Sequence, residues 1–188
     1  MEQEQSNKKR KFRRPINYIT PEQFNKLYKT ANDKRLKLAI LLGFGAGLRI
    51  SEIVGYKRND GSEICPLTKE NIDLDKHQIR IVDSKGNKWR VTIAPPSLKK
   101  EHLDLLPLKI PRRTLQYKFS KLCEKVIGRK LNFHSLRHGF GNYQANILKI
   151  PLPIVQSLLG HSRLDTTGIY TKINPEESIK LIWKELEQ

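Results

Sequence analysis

The pattern of apolar and polar positions predicts a chain that is helical from about residue 20 onward. Residues 20–23 (TPEQ) supply an N-cap hydroxyl, a proline suited to the first helical turn and a glutamine placed for a capping box. Apolar residues then recur at helical spacing as far as Ala31. A second apolar helix is predicted over about 34–44, and a glycine-rich bend at 43–49 (GFGAGLR) leads into a helix that begins near Ile50.

The middle of the chain predicts one β-hairpin. The segments 77–82 (HQIRIV) and 88–94 (KWRVTIA) alternate and are rich in β-branched residues, which is typical of strands. They flank the turn 84–87 (SKGN), whose Gly-Asn pair suits a tight connection. We expect residues 55–65 to form a loop and the proline-rich residues 94–113 to be mostly irregular.

The C-terminal half is predicted to be helical. Gly128 and Gly160 are placed to end two of its helices, because glycine readily adopts the left-handed conformation at a helix C-terminus. The predicted helices cover about 114–127, 134–148, 153–159, a short segment through Tyr170, and a final helix that starts at Asn174-Pro175. The expected fold class is therefore mainly α with a small antiparallel β-hairpin or sheet.

Charge and composition narrow the class of partner. The chain carries 36 Lys and Arg against 19 Asp and Glu, a formal net charge of +17. Such an excess favours a polyanion, with nucleic acid ahead of an anionic membrane surface. The basic run 8–14 (KKRKFRR) lies in residues 1–19, which we expect to be a flexible arm or linker. No apolar stretch reaches the roughly 18 residues that span a bilayer. Cys65 and Cys123 lack metal-ligand spacing, so a soluble protein of a reducing compartment is expected.

The segment 134–138 (HSLRH) places phosphate-binding groups at helical spacing. Positions i and i+3 share a helix face, so His134 and Arg137 are expected to point the same way, with His138 beside them. An arginine fork can bind two phosphate oxygens, and a histidine can donate or relay a proton. By itself the segment is a weak indication of a phosphate site, because basic surfaces often contain the same spacing by chance.

The segment 158–170 (LLGHSRLDTTGIY) allows a catalytic and a binding interpretation. A helix that ends at Gly160 puts His161 at a bend, and Tyr170 follows nine residues later. A helix, a glycine turn and a second helix also describe a helix-turn-helix DNA reader, in which Tyr170 would only pack. The segment alone favours neither interpretation.

Taken together, four segments resemble motifs of the tyrosine recombinase (phage integrase) family, in the order in which the family has them. They are 44–54 (FGAGLRISEIV), 83–91 (DSKGNKWRV), 133–140 (FHSLRHGF) and 158–173 (LLGHSRLDTTGIYTKI). The resemblance covers about residues 20–175 and assigns six catalytic positions: Arg49, Lys85, His134, Arg137, His161 and Tyr170. Lys85 is assigned ahead of Lys88, which lies in the same turn.

The resemblance implies an enzyme that cuts and rejoins DNA through a 3′-phosphotyrosyl intermediate. Tyr170 would be the nucleophile, and Lys85 would be the general acid for the 5′-hydroxyl leaving group. The two arginines and His161 would hold the phosphate, while His134 would act as base or proton relay. Because arginines supply the charge and one ester replaces another, we expect a site-specific recombinase or integrase that needs no metal, ATP or other cofactor.

The resemblance also implies partners and a domain organisation. We expect residues 20–188 to be the catalytic domain with its C-terminal helix, without the family's N-terminal core-binding domain. The expected partners are double-stranded DNA with a specific recombination site and, on that DNA, a homotetramer, with a monomer as the alternative in solution. No membrane partner is expected. A cytoplasmic location, in a prokaryote or in the host of a virus that encodes the protein, follows from the same resemblance.

The sequence departs from the family pattern at two places, and it also allows two other functions. Residues 55–65 look like an insertion after the first arginine motif, and Gly139 stands where a small hydroxyl residue is commoner. A type IB topoisomerase uses a similar pocket, and a non-catalytic helix-turn-helix module would also explain the charge and residues 153–170. The final helix has two alternatives, packing in its own subunit or in a neighbouring one.

Overall fold

In the computed structural model, residues 17–83, 88–160 and 175–186 are described, and most of them lie in helices. The helices are α1 (Pro21–Thr30), α2 (Lys34–Gly45), α3 (Ile50–Val54), α4 (Lys100–Leu103), α5 (Arg112–Ile127), α6 (His134–Asn142), α7 (Leu152–Leu159) and α8 (Pro175–Leu186). The strands are β1 (Tyr56–Lys57), β2 (Glu63–Ile64), β3 (Ile72–Asp73), β4 (Gln78–Asp83) and β5 (Lys88–Ile93). This mainly helical architecture with small antiparallel sheets confirms the predicted fold class. Within the described ranges, no helix is both long enough and apolar enough to cross a membrane.

The N-terminal helices form as their caps and apolar spacing predict. The Gln23 backbone N–H donates to the Thr20 hydroxyl at 3.3 Å, and the Thr20 N–H donates to the Gln23 side chain at 3.2 Å. α1 lies against α2 and α5. α2 is buried from Leu38 to Phe44 and packs against α6. This buried helix delivers the chain to the bend that precedes Arg49.

The predicted hairpin is present, with additional short strands. β4 and β5 pair antiparallel over their whole length, so residues 78 and 93 are partners at one end and residues 83 and 88 at the other. β3 pairs with β4 at Ile72 and Ile79, both of which are buried. Residues 55–65, predicted as a loop, contain the antiparallel pair β1–β2. Two-residue strands contain too little alternation to be recognised in a sequence.

Glycines end two C-terminal helices as predicted. α5 ends at Gly128, with φ 73°, and α7 ends at Gly160, with φ 64°, both in the left-handed region. α6 continues through one π-helical turn, Tyr143–Ile147, so this helical segment ends where the spacing predicts. Residues 94–113 are mostly irregular but include the one-turn helix α4. The left-handed glycine at residue 160 fixes the direction in which the chain leaves α7.

The final helix packs within its own chain. α8 contacts β5 and α7, and its Ile179 and Ile182 are buried in an apolar cluster beside these two elements. The Trp183 ring stacks on His77, with 3.5 Å between the ring centroids. Of the two alternatives for this helix, the structure shows packing in cis.

Two apolar clusters meet at α6. Leu136 belongs to the larger cluster, which α1, α2 and α5 help to build, and Phe140 belongs to the smaller cluster beside α7 and α8. Arg137 follows Leu136 directly and is only 3% exposed. A charged side chain therefore lies at the boundary of the two clusters. Because burying a charge without partners is costly, this side chain needs hydrogen-bond acceptors there.

Candidate functional site

Arg49 is oriented by a carboxylate one helical turn away. Gly47, with φ 66°, turns the chain between α2 and α3 and makes Arg49 the N-cap residue of α3. Arg49 Nη1 donates to Glu52 Oε1 at 2.8 Å, and the Arg49 backbone N–H donates to Glu52 Oε2 at 2.7 Å. The Arg49 side chain is 39% exposed, whereas that of Glu52 is 7% exposed. A buried partner therefore fixes a guanidinium that still faces solvent.

Arg137 joins two other motif segments. Its Nη1 donates to the Gly47 carbonyl at 2.7 Å, and its Nη2 donates to the Leu159 carbonyl. Gly47 lies two residues before Arg49, and Leu159 lies two residues before His161. A guanidinium has five N–H donors, so other donors remain after these two bonds. One buried side chain thus holds the first arginine motif and the end of α7 at the same place.

A third arginine, which was not among the predicted site residues, shares Glu52. Arg90 lies on β5, and its Nη2 donates to Glu52 Oε2 at 2.8 Å. Its Nη1 donates to the Leu158 carbonyl at the end of α7. The Arg90 side chain is 13% exposed. The three arginines and Glu52 form a group, which we call the arginine cluster, built from α3, β5, α6 and the end of α7.

The charges of the arginine cluster are unbalanced. The pKa of Arg137 falls to about 9, first because the side chain is buried and then because Arg49 and Arg90 repel its charge. Burial also lowers the pKa of Arg90, while Glu52 opposes that shift. The cluster contains three guanidiniums and one carboxylate, which is paired with Arg49 and Arg90. Because an anion would relieve their mutual repulsion, the cluster is suited to bind one.

The histidines of α6 lie on its exposed side. His134 is the first residue of α6, and its ring meets that of His138 edge to face, with 4.5 Å between centroids. Both histidines are exposed, while Arg137, one turn from His134, is buried. His134 and Arg137 are thus adjacent on the helix but differ in exposure. The contact with His134 suits a supporting role for the His138 ring.

Three of the six predicted site residues, Lys85, His161 and Tyr170, lie outside the described residues. Two of them lie next to described residues in sequence. Lys85 falls between β4, which ends at residue 83, and β5, which begins at residue 88. His161 directly follows Gly160, the residue that ends α7. The flanks are tied to the arginine cluster, since Arg90 lies on β5 and the carbonyls of residues 158 and 159 accept from two of its arginines. The catalytic roles of all six residues stay predictions.

Comparison with known proteins identifies the family. The model of the phage integrase family matches residues 105–177. The curated tyrosine recombinase XerA of Thermococcus kodakarensis is 33% identical over 177 residues, which cover 80% of this chain and 57% of the relative. The chain belongs to the tyrosine recombinase family. It spans less than two thirds of the length of this relative.

Solved tyrosine recombinases share the fold. The crystal structure of XerA recombinase superposes with a TM-score of 0.60 at 21% identity, covering 89% of this chain and 64% of the other. A lambda integrase tetramer bound to a Holliday junction superposes with a TM-score of 0.53 at 19% identity, covering 81% of this chain and 49% of the other. These likenesses confirm the tyrosine recombinase fold that the sequence motifs predicted.

Two residues of the arginine cluster, Glu52 and Arg90, were missed by the sequence reasoning although both lie within the motif segments. Glu52 had a detectable signal, because it stands three residues after an N-cap residue, the position of a capping-box acid. Arg90 had none, because the alternation of β5 does not distinguish it from the exposed Arg80 on β4.

Proposed function

We propose that residues 20–188 are the catalytic part of a site-specific DNA recombinase that cleaves and rejoins strands through a covalent phosphotyrosine. The observation that carries this proposal is the arginine cluster, in which Glu52 is paired with Arg49 and Arg90 and also acts electrostatically on Arg137. Attack on a phosphodiester adds negative charge around phosphorus, and fixed cations stabilise that charge best when they are in place beforehand. Membership of the tyrosine recombinase family supports the same chemistry.

Arg49 and Arg137 would bind the non-bridging oxygens of the scissile phosphate. Arg49 is the partly exposed member of the pair and is suited to meet an incoming phosphate. Glu52 and the carbonyls of Gly47 and Leu159 hold both guanidiniums before DNA arrives. Little reorganisation is then needed as the reaction proceeds, which is the main source of electrostatic catalysis.

The remaining groups would move the atoms and protons. The Tyr170 hydroxyl attacks phosphorus, its proton passes to His134, and the bond from phosphorus to the 5′ oxygen breaks. Lys85 gives a proton to that oxygen, which leaves as a 5′-hydroxyl, and His161 donates a hydrogen bond to the phosphate. The 3′-phosphotyrosyl ester is then attacked by another 5′-hydroxyl, which releases the tyrosine. One ester replaces another in each half-reaction, so no energy source is consumed.

The partners proposed are double-stranded DNA with a specific site and further copies of the protein. The net charge of +17 favours a polyanion, and phosphate contacts would contribute most of the affinity. The lambda integrase structure, described as a tetramer bound to a Holliday junction, supports four copies acting on two duplexes. Such a reaction would take place in the cytoplasm, where the DNA of a prokaryote or an infecting virus is accessible.

Covalent trapping on DNA of randomised sequence tests the proposal and selects the target site in the same experiment. The chain is incubated in EDTA with a pool of duplexes that carry a nick and randomised flanking sequence, and adducts that survive boiling in SDS are isolated and sequenced. We expect an adduct enriched in one sequence. Tyr170→Phe should abolish it, because the nucleophilic oxygen is lost. Tyr117→Phe is the matched control, because Tyr117 is 64% exposed on α5 and should give the wild-type yield.

Two outcomes would contradict the proposal in different ways. An undiminished adduct with Tyr170→Phe would remove this tyrosine from the reaction. DNA retained in a native gel, with no adduct from the wild-type chain, would favour the non-catalytic helix-turn-helix alternative.

A further inference from the structure

Arg90 connects three segments that carry predicted catalytic residues. It lies on β5, one arm of the hairpin that leads to Lys85. Through Nη2 it binds Glu52, the carboxylate that orients Arg49. Through Nη1 it binds the Leu158 carbonyl, close to the end of α7. The fork of one guanidinium therefore spans the gap between the first arginine motif and the end of α7.

The end of α7 is shaped to receive this side chain. A Cβ placed on Gly160 would collide with Arg90 Cδ and would lie 2.9 Å from Arg90 Nε. Gly160 also has φ 64°, a conformation that side chains other than that of glycine rarely adopt. Glycine at residue 160 thus allows both the left-handed end of α7 and the close approach of the Arg90 side chain.

Attachment of β5 to the bend before Arg49 does not require Arg90. The hydroxyl of Thr92, a fully buried residue, donates to the Ala46 carbonyl at 2.9 Å and already ties the strand to the end of α2. Arg90 Nε is buried without a hydrogen-bond partner among the described residues. Burying a guanidinium in this way is an expensive means of adding stability, since an apolar side chain of similar volume often serves as well or better.

We propose that Arg90 is a positioning residue for the recombination chemistry: it clamps Glu52 against the end of α7 and thereby fixes the direction of the Arg49 guanidinium. This inference rests on the proposed function and adds a residue that the six predicted positions do not include. Arg90 acts through Glu52 and the Leu158 carbonyl, each of which accepts a hydrogen bond from one of its two terminal nitrogens. Arg49 in turn meets the phosphate. Without Arg90, Glu52 would be held only by the Arg49 backbone N–H and side chain, so the Arg49 guanidinium would lose the contact that ties its direction to β5 and α7.

The first test requires no catalysis. The Nε–Hε signals of ¹⁵N-labelled arginine are recorded by NMR for the wild-type chain, Arg90→Met and the control Arg80→Met, with Arg49 assigned through its absence in Arg49→Lys. Arg80 is the matched control because it is an exposed arginine on the adjacent strand β4. We expect Arg90→Met to move the Arg49 signal toward the position of free arginine and Arg80→Met to leave it in place. An unchanged Arg49 signal in Arg90→Met would overturn the proposal.

The second test separates positioning from DNA binding. The duplex selected by covalent trapping is cleaved under single-turnover conditions at saturating protein, and the dissociation constant is measured separately. Misplacement of a catalytic group by about 1 Å can slow a reaction about 100-fold. We therefore expect Arg90→Met to cleave about 100-fold more slowly with a nearly unchanged Kd. A wild-type cleavage rate, or a loss confined to Kd, would contradict the proposal.

A second variant covers the case in which Arg90→Met does not fold. Arg90→Lys retains the charge and most of the stem, but its ammonium lacks the planar fork that reaches Glu52 and the Leu158 carbonyl together. We expect a folded protein with a displaced Arg49 signal. Full restoration of that signal by lysine would show that charge alone matters and would overturn the positioning role. Because the NMR readout is independent of cleavage, an inactive wild-type chain would refute the proposed function while leaving the Arg90 contact measurable.

Discussion

Gly139 and Gly141 lie two positions apart on α6 and have very different surroundings. A Cβ on Gly139 would overlap the Ile19 carbonyl and would lie 2.8 Å from an edge atom of the Phe44 ring. On Gly141, the nearest atom is a Leu159 methyl at 3.4 Å, an ordinary contact. The segment before α1 and the end of α2 therefore press on α6 at Gly139. This close packing explains why residue 139 is glycine.

The two glycines should respond oppositely to alanine. Gly139→Ala should lower the free energy of unfolding by about 1–3 kcal/mol, because backbone and ring atoms must move to admit the methyl group. Gly141→Ala should raise it by about 0.5–1 kcal/mol, because alanine favours the helix more than glycine does. Urea denaturation of both variants checks the prediction, and equal effects would show that Gly139 is not tightly packed.

At the scale of elements, α8 is an amphipathic helix whose partner lies in the same chain. Its apolar side covers β5 and α7, the two elements that carry Arg90 and lead to His161. Ile182 is fully buried, whereas Lys184, two residues later, is exposed. α8 thus closes the smaller apolar cluster against β5, the strand that carries Arg90.

The contribution of α8 to the stability of the fold can be measured by truncating its buried side chain Ile182. Ile182→Ala should lower the free energy of unfolding by about 2–5 kcal/mol, since it removes buried methylene groups and leaves a cavity. Lys184→Ala should change the free energy of unfolding by less than about 0.5 kcal/mol, as is usual at an exposed position. Thermal or chemical unfolding of the two variants tests this, and a silent Ile182→Ala would mean that α8 is not docked in cis in solution.

At the scale of the whole molecule, the arginine cluster exists only because distant segments converge. Arg49 comes from the bend after α2, Arg90 from the hairpin and Arg137 from α6, and the carbonyl partners belong to the bend and to α7. Burial first, and then repulsion from Arg49 and Arg90, lowers the pKa of Arg137. A folded protein that holds them together has a site whose charge an anion can neutralise.

A tetrahedral anion should therefore stabilise the folded chain. Sulfate at about ten times its Kd should add about 1.4 kcal/mol, which corresponds to a Tm roughly 3–6 °C higher for a chain of this size. Arg49→Met should lose most of this shift, because it removes the partly exposed cation. Arg80→Met, which lies outside the cluster, should retain it. Differential scanning calorimetry with matched ionic strength checks the prediction, and equal sulfate shifts in all three proteins would place the anion elsewhere.

How much the sequence determined depends on whether the signal was local. Local features predicted the elements that the structure contains. They are the capping residues at 20–23, the helix-ending Gly128 and Gly160, the alternation of the hairpin and the helical spacing of α5 to α7. The family motifs are local strings as well, and they predicted the family and the fold. Short strands such as β1 and β2 were missed, because two residues contain no period.

The tertiary structure alone decided which charges meet. Glu52 binds Arg49 across three residues, but its bond to Arg90 crosses 38 residues, and the Arg90 bond to the Leu158 carbonyl crosses 68. No pattern along the chain distinguishes Arg90 from Arg80, because both are arginines on alternating strands. What separates them is the end of α7 packed against β5 and a glycine that leaves room for the guanidinium stem. The docking of α8 in cis was likewise decided by the tertiary structure. An amphipathic pattern indicates that one side of a helix is buried, but not which chain buries it.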